Sequence, residues 1–178
     1  MKILIVAHPD DEALWFVPSN FDKIIIVFCD RHDKPLAGDA RRMALFEHPL
    51  KDRIINLNVP ESGYWKDKRR ILQFEASKSR SRIKLEELRR SLAVTTVFTH
   101  NSTGEYGHDD HILVHNVCKE VFRGEIYCPV FDLHKYAELQ QTVDQDLYQK
   151  IKTVYAKYRV WTWRDDYVMP LHLRFGRL

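Results

Sequence analysis

Five short apolar runs, each long enough for a single strand, constrain the fold more than any other feature of this chain. They cover residues 2–7, 23–29, 53–57, 94–99 and 125–131. Their Ile and Val content and near-continuous apolar character predict strands buried on both faces. The run at 53–57 is the least regular, because Arg53 and Asn56 interrupt it. Helical patterns fall between the runs, at 39–48, 75–92 and 109–122, and a further one spans 144–159. In the second helix Ile83, Leu85, Leu88 and Leu92 form the expected apolar stripe.

Strands alternating with helices predict an α/β fold. The expected form is Rossmann-like, a three-layer α/β/α sandwich around a mainly parallel sheet of order 3-2-1-4-5. The 178 residues suit one domain, 1–178, with its own core. A hydrophobic fraction of 44% and a charged fraction of 30% are those of a soluble globular protein. No apolar run approaches the ~20 residues of a transmembrane helix. The run at 3–7 is cut at once by His8-Pro9-Asp10-Asp11-Glu12, too early for a signal peptide, so the expected compartment is the cytoplasm. Cys29, Cys118 and Cys128 are far apart and odd in number, which argues against a disulfide framework and a thiolate metal site. A net charge of +3 gives no reason to expect a nucleic-acid partner. Residues 60–70 read as a long surface loop. Residues 168–178 are compatible with a terminal strand or an extended tail.

Two clusters carry chemistry. The first, Ala7-His8-Pro9-Asp10-Asp11-Glu12, follows the first strand. A turn explains the Pro and one acid. It does not explain a His and three consecutive acids at the end of an apolar strand, where desolvation pushes carboxyl pKa values up unless a cation is near. A metal ion resolves that conflict. His8 and Asp11 can face one point from a turn, leaving Asp10 as a free base. The second cluster runs from Thr99 to His111, and four His lie between His100 and His115. His111 and His115, spaced i, i+4, can share one helical face. In a sheet of order 3-2-1-4-5, strands 1 and 4 are neighbours and a crevice opens at their carboxyl ends, where both clusters sit.

These motifs resemble those of the PIG-L/LmbE-like metal-dependent N-deacetylases. Ala7-His8-Pro9-Asp10-Asp11-Glu12 matches the first family motif in full. Gly104-Glu105-Tyr106-Gly107-His108-Asp109-Asp110-His111 is similar to the second, with Asp109 in place of the usual Pro. The resemblance covers about residues 1–130. It implies His8, Asp11 and His111 as zinc ligands and Asp10 as general base. His108 would support the oxyanion and leaving group, Asp110 would tune His108, and Tyr106 would help at the transition state. Arg41 or Arg42 stands where the family places a substrate-binding Arg, without the Glu that usually accompanies it.

The implied reaction is removal of the N-acetyl group of a GlcNAc-type sugar by attack of zinc-bound water. His108 could also protonate the leaving amine if Asp110 raised its pKa. Fe(II) or Co(II) can occupy such a site as well. The basic stretch Lys66, Lys68, Arg69, Arg70, Lys78, Arg80, Arg82 and Lys84 is read first as a solvated face, with a substrate phosphate as the second reading. The expected partner is the sugar itself, and a homo-oligomer is compatible with the sequence. An amidase for non-sugar acetamides and a non-catalytic metal- or sugar-binding relative are the alternatives. A dinucleotide-binding oxidoreductase is suggested only by the fold, and the first turn argues against it, with acids where a pyrophosphate needs glycines.

Overall fold

Alternation within the strands divides the core in two. In β1 (Lys2–Val6), Leu4 and Val6 point to one side and Ile3 and Ile5 to the other, all fully buried. In β2 (Lys23–Arg31), Ile24 and Ile26 join the first set, and Ile25 and Val27 the second. The first side packs on α1 (Asp11–Leu14), α2 (Pro35–Glu47) and α6 (Gln145–Lys157) through Leu14, Leu45, Ile151 and Tyr155. The second side packs on α3 (Ile71–Ser91) and α5 (Asp109–Val121) through Leu85, Leu88, Leu113 and Val117. Each such side chain contributes roughly 1.5–3 kcal/mol relative to exposure. Helices therefore cover both faces, as a buried parallel sheet requires. This computed structural model describes residues 1–31, 34–132 and 136–178.

The sheet has seven strands in the order β3-β2-β1-β4-β5-β7-β6. Here β3 is Ile54–Glu61, β4 Thr96–Thr99, β5 Glu125–Pro129, β6 Leu139–Thr142 and β7 His172–Arg177. The first five are parallel and stand in the expected 3-2-1-4-5 order. The sheet then continues with two further strands, one of them, β6, lacking from the sequence reading. β7 runs antiparallel to β5, and β6 antiparallel to β7. Residues 168–178 thus contain a terminal strand. β6 escaped notice because Leu-Gln-Gln-Thr has no apolar run, as suits a short edge strand.

Three expectations need correction. β3 extends to Glu61 and takes the first two residues of the expected 60–70 loop. Register shifts against β2, with Asn58 at φ 50°, carry the strand past its polar residues. Ile83 is exposed, so Leu85 and Leu88 with Ser77 and Ser81 form the buried side of α3 instead. α2 begins at Pro35, a residue suited to a first helical turn. Among the described residues no helix is long and apolar enough to cross a membrane.

Candidate metal and catalytic site

The loops after β1 and β4 meet at the carboxyl edge of the sheet, as the strand order requires. His8, Asp10, Asp11, Asp110 and His111 are all buried there. The first loop turns through Asp10, which has a left-handed φ of 91°. Backbone N–H groups of Ala13 and Leu14 close on the Asp10 carbonyl, and the Asp10 N–H donates to Glu12 Oε2 at 3.1 Å. Glu12 is fully buried and also accepts from the Tyr155 hydroxyl at 2.7 Å. This lattice turns Asp10 and Asp11 in different directions. The second loop turns through α4 (Gly104–Gly107), one distorted turn with positive φ at Gly104, Glu105 and Gly107.

His8, Asp11 and His111 each present a ligand atom, and those atoms lie within 4.8 Å of one another. Their outer nitrogens are engaged by carboxylates. His111 Nδ1 sits 2.7 Å from Glu105 Oε2, and His8 Nε2 sits 3.3 Å from Asp110 Oδ2. That is how carboxylates orient metal-binding imidazoles. His111 Nε2 is buried without a hydrogen bond, 3.3 Å from Asp11 Oδ1. A divalent cation would satisfy both atoms, so the donor set fits a metal with N/O preference. Two other groupings, His8–His108–Asp110 and His100–Glu105–His111, fit less well. His108 Nδ1 already accepts from the Asp110 N–H, and Glu105 already serves His100, His111 and the Asn101 N–H.

The carboxyls separate electrostatically. Burial raises the Asp10 pKa, and Asp11 beside it adds to the shift, while two hydrogen bonds from Thr162 oppose it. Burial also works against a charge on Asp11. The imidazoles of His111, His100 and His8 outweigh it and hold Asp11 well below the usual carboxylate range. The sequence expectation of raised acid pKa values therefore applies to Asp10 and not to Asp11. Burial, reinforced by the rings of His8 and His111, pushes His108 down to about 3. With Nδ1 accepting from Asp110 N–H, the remaining proton of His108 belongs on Nε2.

Several expected roles move. The Asp110 carboxylate bonds His8 rather than His108, and its upward pull on the His108 pKa is outweighed by burial and by the rings of His8 and His111. His115 is a satisfied core histidine: its Nδ1 bonds the His100 carbonyl at 2.7 Å, away from the three ligand atoms. Arg42 points outward and pairs with Asp30 and Asp39. Arg41 is buried, pairs with Glu61, donates to the Cys29 carbonyl at 3.1 Å and lines the cavity beside His8. The carboxylate that pairs with Arg41 thus comes from the end of β3 rather than from the helix that carries the Arg. Of the basic stretch, Lys68 lines the cavity, held 2.5 Å from Asp109, while Arg80, Arg82 and Lys84 are exposed on α3.

The cavity above His8 and Asp11 has a volume of about 440 Å³. Trp65, Tyr106 and Trp163 form its aromatic walls, and Thr162 lies beside Asp10. Sequence reading gave no role to Glu105, Glu61, Thr162 or Trp163. Glu61 closes β3, but the sequence reading ended that strand at 57 and left Glu61 in a loop. Thr162 and Trp163 carried no signal, because nothing local ties them to a loop 152 residues earlier.

No family model matches the sequence, and no curated protein matches it. Solved structures do. The chain is similar to the A40926 pseudoaglycone deacetylase Dbv21, at 13% identity and a TM-score of 0.59, over 89% of this chain and 81% of that one. It is also similar to the deacetylase solved as a complex with teicoplanin, at 11% identity and a TM-score of 0.63, over 100% and 99% of the two chains. At such identity the likeness is one of fold: the α/β sandwich of these deacetylases is the fold of this chain.

Proposed function

We propose that residues 1–178 form a PIG-L/LmbE-like, zinc-dependent deacetylase domain that removes the acetyl group from an N-acetylated sugar. The observation that carries this reading is the buried His8–Asp11–His111 trio, with an unbonded His111 Nε2 facing Asp11, beside the separate carboxylate of Asp10. The fold shared with the A40926 pseudoaglycone deacetylase and the teicoplanin-pathway deacetylase, and the two motifs that resemble the family's, support it.

His8, Asp11 and His111 would hold the metal. Zinc, when bound, supplies Lewis acidity, acidifying water and polarising a carbonyl. Asp10 takes a proton from the water that attacks the acetyl carbon. His108, neutral with its proton on Nε2, donates to the carbonyl oxygen as that oxygen gains charge. The carbon–nitrogen bond then breaks, and the proton held by Asp10 passes to the leaving nitrogen. The products are acetic acid, which ionises to acetate on release, and a free amine, and Asp10 is again a carboxylate. This assigns both proton transfers to Asp10, because a histidine whose pKa is held this low is neutral and carries no imidazolium proton to give. Burial and the nearby carboxylates of Asp11 and Asp10 push the Tyr106 phenol upward, so it stays a donor at the cavity wall. Asp110 acts as the partner that orients His8. Arg41 faces the cavity as a donor to substrate hydroxyls.

The test is a time course of acetate release from a panel of N-acetylhexosamine compounds and simple acetamides, with metal-free protein as control. Release from the sugars that depends on added zinc is the expected result. Release from acetamides alone would reassign the substrate, and no release from any compound would overturn the reading.

A further inference from the structure

We propose that Thr162 is a positioning residue for Asp10, supplied from 152 residues further along the chain. The inference rests on Asp10 being the base. Thr162 follows α6, in a segment that turns back over the site. Its backbone N–H donates to Asp10 Oδ2 at 2.7 Å, and its hydroxyl donates to the same oxygen at 2.8 Å. Among the described residues nothing donates to Oδ1. Two donors on one oxygen fix the plane of the carboxylate and occupy the lone pairs of Oδ2. Oδ1 is then the oxygen left to receive a proton. The neighbour Trp163 packs on Tyr106 and Trp15, with ring centres 5.2 and 5.1 Å apart, which holds the segment in place.

The backbone of Asp10 is secured separately. Its N–H is taken by Glu12, and Glu12 is held by Tyr155. Asp10 is therefore gripped at its main chain from α6 and at its carboxylate from the segment after α6. A base must lie within a fraction of an ångström of its working place, and a small misplacement costs rate rather than binding. Thr162 is exposed and faces the cavity, so it holds Asp10 without contributing to the core.

The experiment compares Thr162→Val and Thr162→Ser with wild type in kcat, KM, zinc content, melting temperature and crystal structure. Thr162→Val keeps the backbone donor and the shape but loses the hydroxyl. Its kcat should fall about tenfold, a part of the 10²–10⁴ that a general base supplies, with KM, zinc and melting temperature near wild type. Thr162→Ser restores the hydroxyl and should recover most of the rate. In the crystal the Asp10 carboxylate should keep one orientation in wild type and Thr162→Ser and rotate in Thr162→Val. Wild-type kcat in Thr162→Val, equal losses in both variants, or an unmoved Asp10 carboxylate would overturn the inference. If wild type itself releases no acetate, the proposed function fails, and the crystal comparison still decides whether Thr162 sets the carboxylate.

Discussion

The stretch 1–132 brings its chemistry in two compact loops, whereas the described residues after it, 136–178, bring theirs one side chain at a time. The loops after β1 and β4 place His8, Asp10, Asp11, His108 and His111 together, and each is a residue type whose chemistry can be named in isolation. The later stretch contributes Tyr155, Thr162 and Trp163, whose meaning exists only through what they touch. The difference teaches that reactive groups and the groups that aim them can follow different sequence logic in one site. The first kind must be particular elements in particular protonation states. The second need only present a donor at the right place.

Variants can break or sharpen that division. The largest effect is expected for His111→Ala, which removes one of three metal-facing groups and should abolish both zinc binding and acetate release. Full zinc stoichiometry by elemental analysis in this variant would sink the ligand assignment. Next comes Asp10→Asn, which should keep zinc and lose about 10²–10⁴-fold in kcat, since an amide cannot accept the proton. Near-native turnover of the zinc-loaded variant would remove Asp10 from the mechanism. Glu105→Gln should weaken zinc affinity about 10–100-fold, as loss of an orienting carboxylate does, measured by competition with a chelator. Unchanged affinity would mean that Glu105 serves only the loop. The smallest effect on activity belongs to Tyr155→Phe. Removing a buried hydroxyl and leaving its buried acceptor unmatched should cost about 1–3 kcal/mol of stability in denaturant unfolding, with a lesser effect on kcat. If Tyr155→Phe instead matched Asp10→Asn in rate while remaining folded, the division between reacting and aiming groups would fail.

The sequence made the parallel part of the sheet legible because double-sided burial demands apolar runs, and β1, β2, β4 and β5 are such runs. It hid β6 because an edge strand needs no apolar character, and it misread the end of β3 because a bulged strand can carry Asn56 and Asn58. Periodicity placed Ile83 in a core stripe, yet small buried serines take that side of α3. In the site, motif and chemistry pointed to the cluster, but partner choice was beyond them. Asp110 lies two residues from His108 in sequence and faces His8 in space, because its helix carries it across the crevice. Arg41 and Arg42 are adjacent in sequence but differ wholly in environment, since neighbours on a helix point about 100° apart.

The contact between Thr162 and Asp10 has a consequence for the order in which the protein becomes competent. It closes a loop of 152 residues, and the Tyr155–Glu12 bond one of 143. The residues of the metal-facing trio span only His8 to His111. During synthesis from the amino end, the ligands can therefore assemble before the residues that align the base have left the ribosome. Such long closures also form late when a complete chain refolds, because their entropy must be met before the contact repays it. A nascent or partly refolded chain would bind zinc ahead of acquiring turnover, and the lag between the two signals measures the docking of the carboxyl-terminal segment.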